Sequence, residues 1–187
     1  MIIADKAGIG KTTVLTHLSK RIKDKDPAHW LVRIDLSECT KLLKAQTGKK
    51  MDKVWVLEFI SKEVLKLKSH LEKELFEKAF DGNGVTKLVV MVDGFHEISP
   101  IYKKTVIDML QVLKQTSLEQ LWVTTRPHLR EDLEDNLQQL SYTLQPFSEL
   151  EQDEFLKKLW LQHLDSENTG HDRLRIYATA LIRKLAQ

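Results

Sequence analysis

The segment Ala7-Gly8-Ile9-Gly10-Lys11-Thr12-Thr13 places two glycines, a lysine and two hydroxyls within seven residues. Glycines let backbone N–H groups turn toward phosphate oxygens, and the N-terminus of a following helix adds its positive dipole end. Lys11 can then reach the β- and γ-phosphates of a nucleotide, and the Thr12 hydroxyl can ligate Mg²⁺. Asp5 stands where the full G-x-x-x-x-G-K-T pattern has its first glycine, which adds strain if that position requires a positive φ. Taken alone, Gly8 and Gly10 also fit an ordinary strand-to-helix turn.

Two further sets of residues carry chemistry. Leu88-Val89-Val90-Met91-Val92 runs into Asp93-Gly94-Phe95-His96-Glu97. A carboxylate at the C-terminal end of a buried parallel strand lies at the sheet edge where α/β folds bind ligands, and Asp93 there can hold a phosphate-bridging Mg²⁺. A turn or helix-capping aspartate is the plainer reading of Asp93 by itself. Glu97 is the nearest group able to polarise an attacking water, and it reads equally as a surface loop residue. His96 is a neutral hydrogen-bonding group, a pH-sensitive group or a position without catalytic role. Leu121-Trp122-Val123-Thr124-Thr125 ends in Arg126-Pro127, where the fixed fork of Arg126 suits a γ-phosphate or simply precedes a turn proline. Lysine, aspartate and arginine at three strand ends would converge on one edge.

The elements that must position them are legible as alternating strands and helices. Met1-Ile2-Ile3-Ala4 is a short strand before the glycine loop, and Val14, Leu15, Leu18 and Ile22 give helical spacing over 12–23. Residues 30–36 read as a second strand and 40–45 as a helix, with Gly48 as a break. Val54, Leu57, Ile60, Val64, Leu67, Leu71 and Leu75 then recur every three or four residues, which predicts one long helix with a single core-facing stripe. Gly82-Asn83-Gly84 marks a turn. The continuous apolar run 88–92 suits a strand buried on both faces. A helix with Val106, Ile107, Leu110 and Leu113 follows, then the strand over 121–125, a helix with Leu129, Leu133 and Leu137, and a fifth strand over 140–144. From Glu151 the chain reads as helix, apart from a loop over 166–170. Such alternation specifies an α/β fold with a mainly parallel sheet.

Bulk composition sets the class. The chain has 187 residues, 42% hydrophobic and 30% charged, with 29 basic against 27 acidic side chains, which fits one domain, or one domain with a small appendage, and a proper core. A net charge of +2 lacks the clustered basic excess of a nucleic-acid binder. Cys39 is the only cysteine, so no intrachain disulfide can form, and it reads as a small hydrophobe. No run approaches the ~18 apolar residues of a membrane span, and Asp5 and Lys6 interrupt any signal-peptide core; the expectation is a cytoplasmic protein. The histidines have no metal-ligand spacing, and Trp30, Trp55, Trp122 and Trp160 are scattered as packing residues rather than as a stacking platform.

In order, A-G-I-G-K-T-T, L-V-V-M-V-D-G-F-H-E-I, L-W-V-T-T-R-P and L-Q-P-F-S-E-L-E-Q-D-E-F resemble a NACHT domain, a branch of the signal-transduction ATPases with numerous domains, over about residues 1 to 165; the wording is similar to arthropod members. The resemblance implies a three-layer P-loop NTPase sandwich, whose five-stranded, mainly parallel sheet has the sensor strand between the Walker A and Walker B strands. It implies ATP or ADP binding with Mg²⁺, slow hydrolysis, and nucleotide-controlled self-association or binding of signalling partners, often in innate immunity. Carried over, Lys11 and Thr12 are the Walker A phosphate and Mg²⁺ residues within 7–13, Asp93 the Walker B metal residue, Glu97 the distal acid and Arg126 the sensor. His96 stands where the family usually has an acid, which puts turnover in doubt before binding. The organisation expected is a core over 1–147, truncated at its first edge, and the beginning of a helical subdomain over 148–187. The rival reading is a non-catalytic interaction module or decoy that assembles with full-length relatives. A small-molecule kinase would need an arginine-rich lid that the sequence lacks.

Overall fold

A computed structural model describes residues 1–46 and 51–163, together with Ile176 and Ala180. The Gly48 break and the loop over 166–170 lie outside the described residues, as does the side chain of Trp160. The chain divides into two compact units, Met1–Leu144 and Gln145–Gln187.

In the first unit five strands, β1 (Ile2–Ala4), β2 (Trp30–Asp35), β3 (Leu88–Asp93), β4 (Gln120–Thr125) and β5 (Ser141–Tyr142), form a sheet of order β2-β3-β4-β1-β5. Every pairing is parallel. β3 is buried at all six positions, as its unbroken apolar run requires of a strand covered on both faces. β4, which ends at Thr125, lies between β1 and β3, so the strand bearing the Arg126 end separates the strand before the glycine loop from the strand ending in Asp93.

Side chains of a strand alternate between faces, and two cores follow from that. Val89 and Met91 of β3 pack with Leu15 and Leu18 of α1 (Lys11–Lys25), with Leu31 and with Trp122. Leu88, Val90 and Val92 face the larger core. That core is supplied by α2 (Thr40–Gln46), α3 (Lys53–Glu58), α4 (His70–Asp81), α5 (Lys103–Lys114) and α6 (Arg130–Leu137), through Leu43, Val56, Phe76, Phe80, Leu110 and Leu133 among others. Three layers result, with α1 on one face of the sheet and α2–α6 on the other.

The long helix expected after Gly48 is instead broken. α3 runs into a π-helical turn over Phe59–Val64, the chain turns at Lys66 with φ 53°, and α4 restarts at a capping box. Ser69 accepts from the Glu72 N–H while the Glu72 carboxylate accepts from the Ser69 N–H, satisfying two end donors reciprocally. The restart rotates the helix, so the expected stripe splits. Val54 and Leu71 are 66% and 64% exposed, while Phe59, Phe76 and Phe80 take the core positions. The Ser-x-x-Glu spacing at 69–72 was the available signal. β5 is also shorter than the run 140–144, with only Ser141–Tyr142 paired.

Trp30 meets Phe76 edge-on and Trp55 stacks on Phe59, both packing roles. In the second unit α7 (Glu149–His163) opens on another capping pair, the Ser148 hydroxyl and N–H donating to Glu151 at 2.7 and 2.8 Å, and Phe147 and Phe155 pack 5.9 Å apart.

Candidate functional site

β1 ends at Ala4, and the chain reaches α1 through a loop in which Gly8 has φ 77° and Gly10 φ 98°. Those left-handed angles are open to glycine at no steric cost. Gly10 is the N-cap and has no side chain to cap with, and the first turn of α1 carries no acidic residue. Among the described residues the leading N–H groups of α1 thus have no capping side chain, and they point at the position an anion would take. A Cβ at Gly8 would meet no atom within 4 Å, so the mouth of the loop is open.

Asp5 is not strained. It is absent from the positive-φ residues, which include Gly8 and Gly10 instead. Its carboxylate has acquired partners: Oδ1 accepts from the Lys6 N–H at 2.7 Å and Oδ2 from the Leu144 N–H at 2.8 Å. The expected penalty is replaced by a tie between the start of the loop and the residue at which the chain leaves the sheet unit.

Lys11 is buried, and its ammonium donates to the carbonyls of Asp5 at 2.8 Å and Lys6 at 2.7 Å. Burial lowers its pKa from the ordinary lysine value, Asp5 opposing the shift, Arg126 adding to it, and Asp93 and Glu97 opposing it again. The charges of all three strand ends thus reach Lys11. Thr12 and Thr13 are exposed at the start of the helix.

At the end of β3 Asp93 is buried. Alternation turns it to the α1 face, with Met91, Arg33 of β2 and Thr124 of β4. The Thr124 hydroxyl, fully buried, donates to Asp93 Oδ1 and accepts from the Gly94 N–H at 3.0 Å. Arg33 reaches Asp93 Oδ2 at 3.4 Å. Neither Thr124 nor Arg33 stood out in the sequence. The signal for both was strand parity once β2, β3 and β4 are neighbours.

Beyond Asp93, Gly94 leads into a short 3₁₀ turn, Phe95–Glu97. His96 Nε2 lies 3.4 Å from Glu97 Oε1; the His96 side chain is 11% exposed and that of Glu97 48%. Burial pushes the His96 pKa below its usual value, with Glu97 opposing and Arg126 and Lys11 adding to the shift before Asp93 opposes it. Its Nδ1 is buried without a hydrogen-bond partner among the described residues. Arg126 is exposed just past β4 and caps no helix with its side chain. The structure thus gathers Lys11, Asp93, Glu97 and Arg126, with His96, at the C-terminal edge of β1, β4 and β3.

A nucleotide with Mg²⁺ suits this donor set. The uncapped α1 terminus would take phosphate oxygens, and the Thr12 hydroxyl and Asp93 carboxylate are hard oxygen donors of the kind a magnesium ion would accept alongside phosphates. No group of three His, Cys, Asp or Glu among the described residues forms a cage of its own. A cavity of about 410 Å³ lined by Met1, Lys114, Glu119 and Leu121 lies at the opposite, N-terminal edge of the strands, away from these groups.

A parallel sheet of this order, with a glycine loop entering α1 and an aspartate ending the adjacent-but-one strand, defines the P-loop NTPase fold. Within that class, the family model "NACHT domain" matches residues 1–163, and the chain belongs to that family. Among curated proteins none matches the sequence. Among solved structures the chain is similar to domain III from the Thermotoga maritima replication initiation protein DnaA, with 15% identity, a TM-score of 0.59, and coverage of 95% of this chain and 67% of that one. It is also similar to C. elegans PCH-2, with 14% identity, a TM-score of 0.53, and coverage of 92% of this chain and 43% of that one. At such identities the likeness is one of fold.

Proposed function

We propose that the chain binds ATP or ADP with Mg²⁺ at 7–13 and acts as a nucleotide-controlled switch in signalling. The observation that carries the reading is the gathering of Lys11 at the start of α1, Asp93 at the end of β3 and Arg126 just past β4 at one sheet edge beside an uncapped helix terminus. Phosphate oxygens take the N–H groups from Gly8 to Thr13. Lys11 exchanges the carbonyls of Asp5 and Lys6 for a phosphate oxygen, in a site where burial strengthens the attraction. Thr12 and Asp93 hold Mg²⁺, which when bound neutralises phosphate charge. Arg126, which makes no ion pair among the described residues, is positioned for the γ-phosphate, and Glu97 orients water. Nucleotide-dependent self-association or docking of signalling partners, in the cytoplasm and in innate immunity, extends the same reading from the family. The near-balanced charge of +2 speaks against nucleic acid as the partner.

Turnover is slow in this proposal, because the Glu97 carboxylate is shared with His96 at 3.4 Å. The same contact supports the rival reading, an interaction module that holds nucleotide without hydrolysing it. Titration with a fluorescent ADP or ATP analogue tests the main claim: Lys11→Ala, folded by circular dichroism, is expected to lose Mg²⁺-dependent binding. Unchanged affinity would refute it. Phosphate release that disappears in Glu97→Gln selects the slow ATPase over the module.

A further inference from the structure

The metal side of the site already holds a cation of the protein's own. Arg33 is the fourth residue of β2 and pairs in register with Met91, so parity places its side chain on the α1 face beside Asp93. Its Nη1 donates to Thr16 Oγ1 at 2.8 Å, and Thr16 Oγ1 donates to the Thr12 carbonyl at 2.9 Å. Its Nη2 reaches the Thr12 carbonyl and Asp93 Oδ2, each at 3.4 Å. The guanidinium therefore spans Thr12 and Asp93, the two residues assigned above to the metal.

The two oxygens of Asp93 are not equivalent. Oδ1 is taken by the buried Thr124 hydroxyl. Oδ2, facing Arg33 and the first turn of α1, is the oxygen left for a cation. Magnesium sits about 2.0–2.1 Å from its oxygen ligands, and two cations on one carboxylate oxygen repel, more so in a half-buried site than in water. The Arg33 contacts are graded in a way that permits exchange. The Thr16 bond has ordinary length, whereas 3.4 Å lies beyond the usual N–H···O range of about 2.7–3.2 Å. The guanidinium can keep Thr16 as a pivot and release the other two.

We propose that Arg33 is an internal counter-ion that occupies the metal-facing oxygen of Asp93 and yields it to a divalent cation, thereby setting how strongly nucleotide binding depends on Mg²⁺. Arg33 acts through Asp93 and is a positioning residue. The inference rests on the nucleotide reading above.

The test measures a labelled ADP by fluorescence titration in excess EDTA and again at saturating Mg²⁺, on the full chain, for wild type, Arg33→Gln and Arg33→Lys. Mn²⁺ alone is titrated in parallel without nucleotide and followed by its paramagnetic resonance signal. In Arg33→Gln the ratio of the EDTA to the Mg²⁺ dissociation constant is expected to rise on the order of fivefold, with Arg33→Lys intermediate. Half-saturating Mn²⁺ falls by a similar factor, and the gain vanishes when Asp93→Asn is added. An unchanged ratio and Mn²⁺ midpoint overturn the proposal, as does weaker Mn²⁺ binding in Arg33→Gln, which would make Arg33 an organiser of the ligand. If no variant binds nucleotide, the nucleotide reading fails on its own, and the Mn²⁺ titration decides Arg33: a lower midpoint supports the counter-ion, and an unchanged or undetectable one overturns it. Should Arg33→Gln not fold, Arg33→Lys and Thr16→Val, which removes the pivot, carry the same comparison.

Discussion

Replacing Thr124 by valine keeps the shape of the side chain and removes only its hydroxyl. In the wild type that hydroxyl is fully buried, donates to Asp93 Oδ1 and accepts from the Gly94 N–H at 3.0 Å. Valine deletes one hydrogen bond to a charged group and leaves a backbone donor unpaired. A charged hydrogen bond is worth roughly 1.5–3 kcal/mol, and an orphaned buried donor costs roughly 1–3 kcal/mol. The two share one oxygen and do not add fully, so about 2–4 kcal/mol is expected. For a chain of this size that corresponds to a fall in Tm of about 5–15 °C. Urea unfolding followed by tryptophan fluorescence reads the change as a lower midpoint with unchanged slope. Thr124→Ser, which retains the hydroxyl and loses a methyl group, is the control and should lose only about 1 kcal/mol. A Thr124→Val midpoint equal to wild type would refute the bridge between β3 and β4.

Two other outcomes follow from burial. His96 has a folded pKa below its usual value because its ring is buried, so below about pH 6.5 the unfolded chain binds a proton that the folded chain refuses, and stability falls as pH falls toward the folded value. His96→Gln should flatten that slope in thermal unfolding at pH 5.5 and 7.5; an identical slope would show that other groups cause it. The Cys39 thiol, buried and donating to the Asp35 carbonyl at 3.2 Å, is pushed up to about 11 by burial, then by Asp35 and Glu38. At pH 8 only about one thiol in a thousand is ionised, so Ellman's reagent should react at the rate of unfolding, and prompt labelling of the native protein would contradict this.

The parts of the fold legible in the sequence are those where one physical demand dominates a segment. β3 lies between two strands and two helical layers, so nearly every residue must be apolar, and Leu88–Val92 is read directly. The glycine loop is legible because few residues other than glycine accept φ near 77° and 98°. Reading failed where two signals competed. Across 53–81 the helical spacing of leucines outweighed a capping box, yet the capping box and the turn at Lys66 decided the geometry. Arg33 and Thr124 were illegible for another reason. Each matters through a partner on a neighbouring strand, at a separation of 60 and 31 residues from Asp93, and only register brings them together. A single strand's pattern contains the parity of Arg33 but not the identity of what stands beside it.

The carboxylate of Asp5 joins the backbone at Lys6 and at Leu144. A residue that departs from a motif is commonly treated as a defect awaiting correction. Here the departure is part of the fold: glycine in its place would strip the Leu144 N–H of its acceptor and free the loop at its base. The carboxylate thus couples the start of the loop to a main-chain N–H 139 residues away, a donor that any residue except proline supplies.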